Sequence, residues 1–70
     1  MKDKASYRIE IVEQQGGWWV GEIWNSEGEM VFRAHARSKE AAQRQTTAEF
    51  AMYFDCSIKP PVTIRHLDSK

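Results

Sequence analysis

The side chains of this chain best suited to chemistry are its three tryptophans and the basic residues that follow them. Indole and guanidinium groups are enriched at the positions that dominate binding energy in protein interfaces. They also stack on nucleic-acid bases and contact phosphates. The side chains in question, all between positions 18 and 37, are Trp18, Trp19, Trp24, Arg33, His35 and Arg37. Their chemistry indicates recognition rather than bond cleavage.

Residues that could support catalysis or hold a metal ion show no usable spacing. His35, Cys56 and His66 lie far apart, whereas zinc sites take three or four ligands at recognisable intervals. A Cys–His nucleophilic pair lacks an orienting group, and the scattered glutamates have little room to form a pocket in so small a domain. Gly16-Gly17 reads as a hairpin turn and not a phosphate cradle, because no helix follows it. We therefore expect no enzyme activity, metal ion, cofactor or small-molecule substrate.

Length and charge limit the possible functions further. Seventy residues make one small domain, and 41% hydrophobic with 29% charged residues is typical of a globular protein. Ten basic and ten acidic residues give a net charge of zero. Dedicated nucleic-acid binders usually carry a basic excess, so neutrality disfavours that class but leaves room for a local basic patch.

Three features predict a soluble, cytoplasmic protein. Cys56 is the single cysteine, so no intramolecular disulfide can form, and a reducing compartment suits the chain. The first residues, MKDKASYRIE, lack the apolar core of a signal peptide. No apolar stretch approaches the roughly 20 residues that span a bilayer.

Alternating and turn-forming residues predict three strands joined by two tight turns. Residues 1–6 are polar and expected to be loose; from Tyr7 the apolar residues alternate with polar ones, as in a half-buried strand. Adjacent glycines predict a turn at 14–17, and Asn25 with Gly28 suits a type I turn. The second and third strands are expected over residues 18–24 and 30–36.

Burial selects a register for the second and third strands. If Asn25 pairs with Gly28, Ile23 lies opposite Met30, Gly21 opposite Phe32 and Trp19 opposite Ala34. These six residues then share an inner face with Tyr7, Ile9 and Ile11, whereas a slip by one residue would bring Glu22 into the core. A bulge in either turn would exchange the two faces, and this alternative stays open.

The opposite sheet face then carries an apolar patch bordered by basic groups. Monomers rarely expose a patch like that formed by Trp18, Trp24 and three valines, at positions 12, 20 and 31. The face is either open for a partner or covered by the C-terminal tail or by a second copy. The candidate binding residues on or beside it are Arg8, Trp18, Trp24, Arg33, His35 and Arg37.

A helix and a tail complete the expected α+β fold. Ser38 is a suitable N-cap, and Glu40 favours the helix N-terminus, so we predict a helix over about 39–54. Ala41, Ala48 and Met52 form a narrow apolar sector expected to face the sheet. Phe50 and Phe54 lie on another side and need a partner. Pro60-Pro61 ends any helix, and the tail at 61–67 is expected to form a short edge strand or an extended segment over the helix.

At WVGEIW and SKEAA the chain resembles the plant ethylene-response-factor DNA-binding domain and the related integrase arm-binding domains. It also resembles small uncharacterised bacterial families of β-β-β-α pattern. The resemblance, over residues 7–54, implies a three-stranded sheet on one helix, with the opposite sheet face entering the DNA major groove. That face would hold Arg8, Trp24 and Arg33. The chain departs from the family at Glu10 and Glu13, where the family's first strand is basic, and Trp24 stands in place of an arginine. The residues that carry the resemblance are Trp19, Val20, Glu22, Ile23, Ala41 and Ala42.

These observations predict a small non-enzymatic binding module that uses a Trp/Arg sheet face. A protein partner, including a second copy of the chain as a dimer, is favoured over nucleic acid. No membrane or small-molecule partner is expected.

Overall fold

Four strands and one helix make up the part of the chain that the computed structural model describes, residues 7–54 and 59–67. The strands form one sheet in the order β3-β2-β1-β4, with β1–β2 and β2–β3 antiparallel and β1–β4 parallel. The predicted α+β class, with a short terminal strand, is confirmed. The segment 1–6, expected to be loose, and Cys56 lie outside the described residues. In chain order the elements are β1 (Arg8–Glu13), β2 (Trp19–Trp24), β3 (Met30–Ala36), α1 (Lys39–Tyr53) and β4 (Val62–Arg65).

The first hairpin follows the alternation of its sequence. Gly16 and Gly17 have φ angles of 81° and 85°, which glycine adopts without the strain that a Cβ would add. The Gln14 N–H donates to the Trp18 carbonyl across this turn at 2.7 Å. In the resulting register Ile9 lies opposite Ile23 and Glu10 opposite Glu22.

The predicted register of the second hairpin is wrong by two residues. Gly28, at φ 82°, adds a residue to the turn, so Asn25 pairs with Glu29 instead of Gly28. A second irregularity, between Ile23 and Trp24, shifts the pairing by one more residue, so that Ile23 lies opposite Phe32. Because side chains alternate with period two, two single shifts restore the original faces. Met30 is the exception, since it was expected in the core and its side chain is 42% exposed.

The helix packs on the sheet through a different face from the one expected. Ala42, Thr46 and Phe50, one turn apart, are its buried residues. Of the predicted sector, Ala41 packs against the core, whereas Ala48 and Met52 are exposed. Thr46 lies directly over Gly21 of β2, whose missing Cβ allows the close approach. The polar Thr46 therefore occupies the centre of the interface, while apolar Met52 points to solvent.

The inner face of the sheet and α1 enclose the core. Ile9, Ile11 and Ile23 are fully buried there together with Phe50. Tyr7 is the aromatic partner that Phe50 and Phe54 required, with ring centroids 5.2 and 5.3 Å from theirs. The N-cap prediction is confirmed, because the Ser38 hydroxyl accepts the Ala41 N–H at 3.0 Å.

The tail joins the sheet as an edge strand. The Ile9 N–H donates to the Pro61 carbonyl at 2.9 Å, and β4 then runs parallel to β1 with Ile64 opposite Ile11. Past β4, the Leu67 N–H donates to the Glu13 carboxylate at 3.1 Å. The tail therefore extends the sheet and does not lie across either face. In the described part of the chain no helix is long and apolar enough to cross a membrane.

Candidate functional site

The candidate site is the sheet face that points away from α1, called here the outer face. Strand alternation places the side chains of even-numbered residues of β1 and β2 on it, together with the odd-numbered residues of β3 and β4 that lie opposite them. No described segment of the chain covers this face, and the alternative in which the tail lies over it is not met, because β4 pairs at the edge of the sheet. The structure brings to this face, or to its border, all six predicted site residues: Arg8, Trp18, Trp24, Arg33, His35 and Arg37.

One end of the outer face, called here the Trp24 end, has its charges internally matched. The Arg8 guanidinium carbon lies 5.1 Å from the Trp24 ring centroid, within cation–π range. Arg8 Nε donates to the Glu10 carboxylate at 2.9 Å, and Arg65 Nε lies 3.5 Å from the same carboxylate. The Trp24 indole N–H donates to Glu22 at 3.0 Å. Arg8, Glu10, Glu22 and the Trp24 indole N–H at this end thus each already have a partner within the protein.

The other end, called here the Trp18 end, combines an indole and a guanidinium with no carboxylate of residues 7–54 or 59–67 paired to them. The Arg37 guanidinium carbon lies 4.3 Å from the Trp18 ring centroid, and the His35 ring meets Trp18 edge-on at a centroid distance of 6.5 Å. Trp18 is 39% exposed and borders an open cleft of about 350 Å³ with His35, Gln14 and Gln15. Among the described residues no acidic group lies within ion-pair distance of Arg37.

The centre of the outer face is less apolar and less exposed than expected. Val20, predicted to join an exposed patch, is fully buried between Val12 and His35 of the neighbouring strands. Glu10 and Glu22 lie directly opposite each other, an arrangement of like charges that costs stability unless cations are close. The predicted continuous patch is therefore two separate Trp–Arg clusters, about 20 Å apart at ~3.3 Å per strand residue.

The outer face also concentrates the arginines of the chain. Four of its five arginines lie on or beside this face, and Arg44 on α1 is the fifth. Arg65 was missed, because the sequence does not show which strand the tail pairs with. Gln14 and Gln15 were also missed as cleft residues, since they were assigned only to a turn. The adjacent glycines indicated that this turn is tight, and a tight turn brings both glutamines beside Trp18.

The inner side of the sheet holds a smaller polar cluster at the same end. His66 Nδ1 lies 3.6 Å from the Glu13 carboxylate, and its ring meets Trp19 edge-on at 5.7 Å. These contacts tie the chain after β4 to β1 and β2, which is a structural role. Across residues 7–54 and 59–67 no group of three or more His, Cys, Asp or Glu side chains is arranged to hold a metal ion.

Comparison with known proteins finds no matching family model, no similar curated protein and no similar solved structure. The resemblance to sheet-plus-helix DNA-binding domains therefore still rests on the strand and helix residues quoted above, and the structure adds a fourth, parallel strand to that pattern.

Proposed function

We propose that this protein is a small non-enzymatic binding module and that its outer face binds a protein partner, which includes a second copy of the chain. The observation that carries the proposal is the outer face, which no segment of residues 7–54 or 59–67 covers and which has a Trp–Arg cluster at each end. Both residue types are enriched among the residues that dominate interface energetics. Arginines already stacked on indole rings also lose less conformational entropy on binding than freely rotating ones.

Charge placement favours a protein over nucleic acid as the partner. Glu10 and Glu22 stand at the centre of the outer face, where a phosphate backbone lying across the sheet would be repelled. A protein surface of mixed charge can match both these carboxylates and the surrounding arginines. Nucleic acid remains the second candidate because the face carries four arginines against two glutamates.

The remaining parts of the proposal follow from composition. A non-enzymatic role is inferred because histidine, cysteine and carboxylate spacing indicate no reaction centre. A cytoplasmic location is inferred from the single cysteine, which suits a reducing compartment.

The proposal is tested with Trp18→Ala and Trp24→Ala, and with Met52→Ala as a matched control for loss of an exposed apolar side chain on α1. Light scattering over a range of concentrations measures self-association, and affinity capture from the source cell measures partner binding. We expect each tryptophan variant to weaken the association and the Met52 variant to leave it intact. If both tryptophan variants retain wild-type association, the outer face is not the interface.

Salt dependence separates the two partner classes. Contacts with phosphates release counterions, so nucleic-acid binding weakens steeply as salt rises, whereas a protein interface with Trp–Arg contacts and a few matched charges weakens much less. The triple variant Arg8→Ala, Arg33→Ala and Arg37→Ala, measured against a single-stranded oligonucleotide, completes this test. Salt-sensitive oligonucleotide binding that the triple variant abolishes would replace the protein partner with nucleic acid.

A further inference from the structure

The two ends of the outer face have similar residues but different electrostatic states. At the Trp24 end Arg8 and Arg65 share the Glu10 carboxylate, and Glu22 accepts the indole N–H. At the Trp18 end Arg37 stacks on the indole, and no carboxylate of residues 7–54 or 59–67 pairs with it. An incoming anionic group would compete with an internal carboxylate at the Trp24 end but not at the Trp18 end.

The Trp18 end also has the shape of a receptor for a side chain. Its open cleft of about 350 Å³ is lined by two rings, those of Trp18 and His35, and by the amide side chains of Gln14 and Gln15. The rings offer apolar surface, and the amides offer hydrogen-bond donors and acceptors at the rim. Stacking places the Arg37 guanidinium over the indole, and no hydrogen bond from a described residue occupies its N–H groups, which can meet a planar acceptor at the edge.

We infer that the Trp18 end receives an acidic side chain of the protein partner next to an apolar or aromatic one. The partner's Asp or Glu pairs with the Arg37 guanidinium, and its apolar neighbour fills the cleft against Trp18 and His35. A carboxylate matches the guanidinium with two parallel hydrogen bonds, which fixes the orientation of the partner as well as adding energy. This inference rests on the proposed protein-binding function and names the chemistry that the partner must present there.

A random peptide library displayed on phage is the probe that tests the inference while the partner itself is unidentified. The full chain is the target. Selected peptides are then measured against Arg37→Gln, against Arg8→Gln at the Trp24 end, and against Arg44→Gln on the exposed side of α1 as the matched control. We expect Asp or Glu beside an aromatic or aliphatic residue to be enriched. Arg37→Gln should weaken binding by about 10-fold or more, in line with loss of a bidentate charged contact, and Arg44→Gln should have little effect.

The outcomes distinguish this inference from the proposed function. Selected peptides that lack acidic residues, or that bind Arg37→Gln as tightly as the wild type, overturn the inference. If binding depends on Arg8 and Trp24 instead, the outer face still binds protein but the assigned end is wrong. Peptides whose binding is unaffected by any substitution on the outer face overturn both. Circular dichroism of Arg37→Gln, compared with the wild type, shows whether a loss of binding reflects unfolding.

Discussion

At the scale of single residues, Gly21 decides how close the helix can lie to the sheet. A Cβ at this position would lie 2.9 Å from the Thr46 Cβ and 3.1 Å from the Ala42 carbonyl oxygen, and it would overlap the Thr46 hydroxyl. Gly21→Ala should therefore lower the free energy of unfolding by about 3 kcal/mol or more, because overpacking in a filled core forces the helix away.

Urea denaturation followed by circular dichroism measures this loss. Adding Thr46→Ala to Gly21→Ala removes the hydroxyl contact but leaves the two Cβ atoms in conflict, so it should restore only part of the stability. A Gly21→Ala variant as stable as the wild type would show that the helix does not lie this close to β2.

The position of Thr46 over Gly21 also determines the environment of the Thr46 hydroxyl. Its hydroxyl is buried, and among the described residues it has no hydrogen-bond partner. Thr46→Val keeps the branched shape and replaces the unsatisfied hydroxyl by a methyl group, so we expect a gain of about 1 kcal/mol in unfolding free energy.

Thr47→Val is the matched control for Thr46→Val, since the neighbouring Thr47 is exposed and the two substitutions change helix propensity equally. In thermal denaturation, Thr46→Val should have a higher melting temperature than the wild type, and Thr47→Val should not. Equal shifts in the two variants would mean that the Thr46 hydroxyl is satisfied in solution.

At the scale of elements, the helix shows where sequence periodicity misleads. Ala41, Ala48 and Met52 form the more apolar sector, yet the helix packs through Ala42, Thr46 and Phe50. The choice is made by shape, because Thr46 fits over Gly21 and Phe50 fills the space beside Tyr7. Neither fit is visible until the strand and the helix are placed together. The helix itself was predictable from Ser38 and from its helix-forming residues.

The two sides of the helix should respond very differently to substitution. Met52→Lys should change the unfolding free energy by no more than about 0.5 kcal/mol, as is usual for a surface position, because Met52 is 67% exposed. Phe50→Ala should cost about 3 to 5 kcal/mol, since Phe50 is 1% exposed and its removal leaves a cavity. Chemical denaturation of both variants decides between the two faces. If Met52→Lys lowers the unfolding free energy strongly and Phe50→Ala lowers it little, the helix packs on the sheet through the face expected from sequence.

In the sheet, by contrast, the predicted residue pairings are wrong while the predicted faces are largely right. The position of Gly28 signalled a turn but not the extra residue that the turn takes in, and the irregularity at Ile23 and Trp24 left no sequence signal. Residue pairings were therefore wrong by two positions. Except at Met30, the face assignments are correct because they depend on parity alone. The outer-face residues could therefore be named from sequence, while the contacts of Trp18 with Arg37 and His35 could not.

At the scale of the whole molecule, charge and burial divide the protein into two sides. The inner side holds α1 and the aliphatic and aromatic core, and the outer side holds most of the arginines. A net charge of zero does not show this division. Composition alone therefore disfavours nucleic-acid partners more strongly than the three-dimensional arrangement of the charges does.

The parallel pairing of β4 with β1 predicts that the described part of the chain unfolds as one unit. Ile64 packs against the core and its neighbour Thr63 is exposed, so the two residues offer a matched pair of substitutions. Ile64→Asn should lower the unfolding free energy by about 2 kcal/mol, because it places an amide against the core, whereas Thr63→Asn should be nearly neutral. Tryptophan fluorescence and circular dichroism should report the same single transition in both variants. Two separate transitions, or an Ile64 variant as stable as the Thr63 variant, would mean that the tail is attached to the sheet without contributing to its cooperative unfolding.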